Sequence, residues 1–99
     1  MKAEDLSVQV EEKGHRGAFF VEEEGRRLAE LTFSATPDRK LVILDHTEVS
    51  ESLRGQGIAR KLVGAAVAWA RQTNVKLMPL CPVAMAVFDR EPQFADVRA

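Results

Sequence analysis

The chain has 99 residues, 45% hydrophobic and 29% charged, with 14 Lys and Arg against 15 Asp and Glu and a formal net charge of −1. This length suits one domain around one core, expected over residues 1–99, and the interspersed charges leave no basic footprint for nucleic acid. No apolar run approaches the ~20 residues that cross a bilayer, the N-terminus MKAEDLSVQV lacks a targeting pattern, and a lone cysteine closes no internal disulfide, so a cytoplasmic domain is expected.

A chain of this size buries only about 60% of its unfolded surface, which leaves little material for a lid, so any site is expected to be shallow or open. His15, His46 and Cys81 show no zinc-like spacing, and no metal is expected.

Residues 6–12 (LSVQVEE), 18–23 (AFFVEE) and 27–35 (RLAELTFSA) read as strands between glycine or charged turns, which predicts an antiparallel meander. Glu24-Gly25 fits a tight hairpin turn, with Gly25 supplying a positive φ, and Pro37-Asp38 marks the next turn. Residues 40–49 (KLVILDHTEV) begin as a continuous apolar run and become polar, the pattern of a central strand whose carboxyl end emerges at a functional edge.

After a linker at residues 50–53, Ile58, Leu62, Ala65, Ala66 and Trp69 recur at helical spacing. A helix is expected over residues 56–73, closed by Thr73-Asn74. Residues 75–80 (VKLMPL) read as a strand too short and apolar for the surface. Pro82 suits the first turn of a last helix with Val83, Val87 and Phe88 as its buried stripe, and Pro92 is expected to stop it.

Four strands, helix, strand, helix make an α+β fold: a single-layer mixed, mainly antiparallel sheet with a long crossover helix and a short C-terminal helix. The strands flanking the long helix are expected to be parallel neighbours through a right-handed crossover.

Chemistry concentrates at RGQGIAR, residues 54–60, between the polar strand end and the long helix. Gly55 and Gly57 let backbone approach a ligand, and Ala59 keeps the next turn narrow. The unused N–H groups of a first helical turn and the helix dipole favour phosphate, and Arg54 and Arg60 can add charge-assisted hydrogen bonds. A P-loop would need Gly-Lys-Ser/Thr, and a dinucleotide fingerprint would need glycine where Arg60 stands. Taken alone, RGQG equally describes a helix start with flexible glycines and solvated arginines.

Val49, SESL, Arg54-Gly55-Gln56-Gly57-Ile58-Ala59 and RKL resemble the acyl-CoA-binding signature of the GNAT superfamily of N-acetyltransferases, of form Arg/Gln-x-x-Gly-x-Gly/Ala. DHTEV and PLCPVAMAVFD are similar to compact, single-domain GNAT-like proteins. The resemblance implies acetyl-CoA or coenzyme A as cofactor. Its diphosphate would be held by the backbone of residues 54–60, that is Arg54, Gly55, Gln56, Gly57, Ile58, Ala59 and Arg60. Its pantetheine arm would pair with the strand near Val49. The first forty residues match only as a pattern of strands. An ordinary GNAT enzyme has helices between its first two strands, whereas only KGHRG, residues 13–17, joins them here, so an open acceptor site is expected.

Acetyl transfer to an amine needs a neutral nucleophile, a placed thioester and a stabilised oxyanion, and a protein cysteine can take the acetyl group first. Cys81 precedes Pro82 and can occupy the N-cap of the last helix, where the dipole favours a thiolate. A lone cysteine in an apolar strand is also simply a small core residue. The resemblance adds that Leu80-Cys81-Pro82 falls where the compact family's expected nucleophile lies. His46 and Glu48 share a strand face if pairing is regular, and either could carry a proton. A β-bulge in this strand, common among GNAT folds, would alter which side chains share a face. A structural histidine at His46 and strand anchors at Thr47 and Glu48 are the plainer roles. His15 receives no role, and Glu22-Glu23-Glu24 forms an exposed hairpin end able to attract a cation.

The resemblance therefore implies an acetyl-CoA-dependent N-acetyltransferase acting on an amine of a small molecule, polyamine or peptide, directly or through Cys81. A monomer or weak homodimer is expected, with no nucleic-acid or membrane partner. The alternative is a non-catalytic acyl-CoA-binding or protein-interaction module.

Overall fold

The structure, a computed structural model, describes residues 7–99. Strands β1 (Gln9–Lys13), β2 (Arg16–Glu23), β3 (Arg26–Ala35), β4 (Leu41–Val49) and β5 (Lys76–Pro79) form one sheet in that order. β1 to β4 pair antiparallel, and β4 pairs parallel with β5 across helix α1 (Ile58–Thr73). Helix α2 (Pro82–Arg90) and short 3-10 helices at Glu51–Leu53 and Pro92–Val97 complete the fold. The expected mixed, mainly antiparallel α+β architecture is present. The expected start of the first strand at Leu6 lies outside the described residues.

Side chains alternate across each strand, so Phe19 and Val21, Ala29, Leu31 and Phe33, Val42 and Leu44, and Leu77 project to one face and are buried there. α1 covers that face with Ile58, Leu62, Val63, Ala66, Val67 and Ala70, a stripe at helical spacing. Phe19, Phe33 and Trp69 meet pairwise at ring-centroid distances of 5.2, 5.5 and 5.4 Å. Gly17 lies opposite Phe33, where an added Cβ would stand 2.3 Å from both Phe33 Cζ and the Glu11 carbonyl oxygen. Position 17 therefore leaves no room for a side chain.

The β2–β3 hairpin closes through Glu24 and Gly25 at φ of 50° and 77°, the doubly positive pair of a type I′ turn. β1 and β2 are joined only by Gly14 and His15, since Lys13 already pairs with Arg16. α1 starts at Ile58 rather than residue 56, because Gly57 holds a left-handed φ of 72°. Asn74, at φ 59°, ends it by donating its N–H to the Ala70 carbonyl.

Two expectations need correction. β5 is an edge strand, and its outer side is covered by the chain end: Leu77 bridges Arg98, and the Ala99 N–H donates to the Leu77 carbonyl at 2.7 Å. On α2, Val83 is 43% exposed and Ala84 takes its place beside Val87 and Phe88, because the buried arc of this short helix centres between those three. As expected, α2 stops before Pro92, at Arg90, and Pro92 starts a further element, the 3-10 helix that packs Phe94 edge-on against Phe88, at 6.1 Å.

Candidate active site

The site is organised by an irregularity in β4. Thr32 lies opposite His46 and Phe33 opposite Leu44, so Asp45 is an extra residue with no partner across β3. One inserted residue reverses side-chain parity along the rest of the strand. Before the bulge Val42 and Leu44 face the helices; beyond it Thr47 and Val49 do, opposite buried Leu31 and Ala29. His46 and Glu48 share the other, exposed face, opposite Thr32 and Glu30. Asp45 is held there by the Ser34 hydroxyl, which donates at 2.8 Å.

β4 pairs with β5 only as far as Leu44 and Pro79. The Leu80 and Cys81 N–H groups both donate to the Leu44 carbonyl, at 3.1 and 3.2 Å, and the chain then turns into α2. Among the described residues, no strand pairs with residues 45–49 of β4 on that side. Their backbone edge is available to an extended ligand.

That edge leads to the glycine turn. Gly55 and Gly57 have φ of 79° and 72°, and a Cβ added at either meets no protein atom within 4 Å. The two glycines thus supply a left-handed path beside open space. The first internal bond of α1 runs from the Lys61 N–H to the Gly57 carbonyl at 3.2 Å, which leaves the Ile58, Ala59 and Arg60 N–H groups outside the helical ladder. No acidic residue in the first turn offsets the dipole.

The side chains of the turn contribute unequally. Ile58 is buried, so only its backbone reaches the mouth. Gln56 folds back to donate to the Ser52 carbonyl at 3.1 Å. Arg54 is exposed, with Glu51 3.9 Å away. Arg60 is paired with Glu91 just past α2, and this hydrogen bond holds the Glu91 carboxyl below its ordinary pKa. Val49, Ser50, Glu51 and Arg54 also wall an open cavity of about 280 Å³, shared with Glu48 and the start of β3.

Cys81 is the N-cap of α2, with Pro82 at the first helical position. It is only 5% exposed. The Thr47 hydroxyl and Cys81 Sγ are 3.1 Å apart, in hydrogen-bond contact. Burial pushes the thiol up. The hydrogen bond with the Thr47 hydroxyl and the nearby Ala84, Val83 and Thr47 backbone N–H groups pull it down and prevail, so its pKa lies below the ordinary value.

The structure thus brings Cys81 to the helix side of the sheet and leaves His46 and Glu48 on the opposite face. Thr47 is the neighbour that simple alternation overlooked. The signal was in the sequence: Leu44 and Val49 both want the core, yet an odd spacing separates them, which regular pairing cannot satisfy.

A sheet whose parallel strands part beside a glycine-opened helix defines the architecture of the N-acetyltransferases related to GCN5. The family profile described as GCN5-related N-acetyl-transferase matches residues 18–97. The chain is similar to a protein of Staphylococcus aureus, named an N-acetyltransferase by its likeness to GCN5, whose solution structure superposes with a TM-score of 0.67 at 31% identity over 92% of this chain and 87% of that one. It also shares the fold of a ribosomal-protein-alanine N-acetyltransferase from Brucella melitensis biovar Abortus 2308, with a TM-score of 0.60 at 20% identity over 89% of this chain and 66% of that one. No protein of curated function matches. The chain belongs to the GCN5-related N-acetyltransferase family.

Proposed function

We propose that residues 1–99 act as one acyl-CoA-binding domain that transfers an acetyl group from acetyl-CoA to an amine. The observation that carries this reading is the continuity between the unpaired backbone edge of residues 45–49 and the left-handed glycine turn, where Gly55 and Gly57 border open space and the Ile58, Ala59 and Arg60 N–H groups lie outside the helical ladder. An extended chain ending in a diphosphate suits both parts. When bound, acetyl-CoA supplies a thioester whose carbonyl carbon is the electrophile.

Residues of the chain divide the work. Gly55, Gly57, Ile58 and Ala59 contribute backbone to the diphosphate, and Arg54 its charge. Arg60 can help only by sharing its guanidinium with Glu91. Val49 and its neighbours along β4 hold the pantetheine arm, and Cys81 adjoins or accepts the acetyl group. In the cavity beside this path Glu30 pairs with Arg27 and Glu51 lies beside Arg54, which leaves Glu48 as the carboxylate best placed for a cationic amine, whether a small molecule, a polyamine or a peptide terminus. His46 or Glu48 serves as proton carrier if the amine approaches from the open face of the sheet. A monomer or weak homodimer in the cytoplasm, where a free thiol persists, suits this reading.

The near-complete burial of Cys81 favours a second reading, a non-catalytic acyl-CoA-binding module. Binding alone does not separate the two. Turnover of acetyl-CoA with a panel of amines and peptides does: acetylated product supports the transferase, whereas tight CoA binding without product on any acceptor supports the module. A protein-binding scaffold with no nucleotide site gives no thermal shift, against about 2.7 kcal/mol of added stability at a hundred times the dissociation constant for either CoA-binding reading.

A further inference from the structure

We propose that Thr47 is a positioning residue whose hydroxyl, turned onto the helix side of the sheet by the Asp45 bulge, fixes the Cys81 sulfur at the N-terminus of α2 and donates to it when the thiol ionises. The assignment rests on reading Cys81 as the residue beside the acetyl group. Were Asp45 paired opposite Thr32 in a regular strand, His46 would occupy the helix-facing position and Thr47 the outer one. The bulge therefore places a hydroxyl, rather than the His46 imidazole, beside Cys81.

The geometry is specific. Thr47 Oγ1 lies 3.1 Å from Cys81 Sγ, and the β-branched side chain has few rotamers to lose in staying there. Once the thiol is ionised only the hydroxyl can donate, and a donor to an anion makes a stronger bond than a neutral pair. The Val83 and Ala84 N–H groups at the start of α2 also lower the thiol's pKa, without forming a capping hydrogen bond to it.

Charged neighbours have other occupations. On β4, Asp45 is bonded to Ser34, while His46 and Glu48 lie across the sheet. On α1, Arg60 pairs with Glu91, and on β5 the Lys76 ammonium donates to the Asp96 carbonyl. On α2, Asp89 pairs with Arg98. The leading influences on the thiol, which include no charged side chain, are burial and hydrogen bonds. Cys81 is thus activated by donors rather than by an adjacent base, and Thr47 is the one side chain among those donors.

The test is an ultraviolet titration of the thiolate, clean because the chain has one cysteine and no tyrosine, and independent of reagent access to a buried sulfur. In the Thr47→Val variant the midpoint is expected to move up, with the thiolate fraction at neutral pH falling about tenfold, the size expected for one hydrogen bond to a charged group. Thr47→Ser, which keeps the hydroxyl, is expected to titrate like the parent, and Thr47→Ala like Thr47→Val.

A midpoint unmoved in folded Thr47→Val or Thr47→Ala overturns the proposal. So does a Thr47→Ser midpoint displaced upward, which would assign the effect to packing of the methyl group. Acetylation of Cys81 is read separately by intact mass after incubation with acetyl-CoA. Absence of an adduct would count against the role of Cys81 in transfer without altering the titration.

Discussion

Replacing Gly57 with alanine separates the two demands made on this position. In the free protein an added Cβ meets no atom within 4 Å, so overpacking contributes nothing and the cost comes from backbone alone. A φ of 72° costs an alanine about 1–2 kcal/mol, partly offset by about 0.4–1 kcal/mol from a less flexible unfolded chain. Net destabilisation should be about 1 kcal/mol, a fall in melting temperature of about 4–8 °C. Binding should suffer more. The methyl group occupies the space left for the diphosphate, and displacing one charge-assisted hydrogen bond loses about 1.5–3 kcal/mol, or roughly ten- to a hundredfold in the dissociation constant for CoA. Thermal denaturation and calorimetric titration with CoA measure the two quantities. Gly25→Ala is the control, since Gly25 has φ 77° and equally open surroundings but lies in the β2–β3 turn. It should lose similar stability and bind CoA like the parent. Equal CoA affinity in Gly57→Ala and the parent would refute the cradle, leaving Gly57 as a requirement of helix initiation only.

Other perturbations follow from the same structure. Gly17→Ala should destabilise by about 1–3 kcal/mol in urea unfolding, because its Cβ meets a backbone oxygen and a Phe33 ring locked between Phe19 and Trp69; an unchanged midpoint would show that the strands yield freely. Cys81→Ala should retain CoA affinity and lose acetyl transfer in a steady-state assay, and full turnover would remove the cysteine from the reaction. The hydrogen bond from Arg71 holds Asp96 below its ordinary value of 3.8, so the stabilisation is present above that pH and is lost as pH falls from there toward the lower folded value. Unfolding midpoints measured across that range should decline less in Asp96→Asn than in the parent, by a small margin because the pair is exposed.

Local rules carried much of the fold into the sequence. Glu24-Gly25 announced a tight hairpin turn, the stripe from Ile58 to Trp69 announced α1, and Cys81-Pro82 announced the start of α2, each from residues within one turn of one another. The misreadings arose where a distant partner decided the outcome. Val83 resembles a core residue, but the arc α2 buries is set by its seat against α1, β4, β5 and the 3-10 helix. β5 reads as interior because it is short and apolar, although the cover on its outer side comes from Arg98 and Ala99 at the chain end.

The candidate site was legible in the same uneven way. The backbone turn depends on glycine, which sequence displays openly. The pairing of Thr47 with Cys81 depends on a one-residue insertion against β3, visible only in the odd spacing of Leu44 and Val49. Arg60, read as a phosphate ligand, gives no local sign that Glu91 claims it from the far end of α2.

The central claim is that backbone amides at the start of α1 bind the diphosphate of coenzyme A. Titrating isotopically labelled protein with CoA and following each amide by nuclear magnetic resonance tests it most directly. The largest shifts should fall on Gly57, Ile58, Ala59 and Arg60, with smaller ones along residues 45–49. Shifts confined to other parts of the chain, or an unchanged spectrum at saturating CoA, would contradict the account.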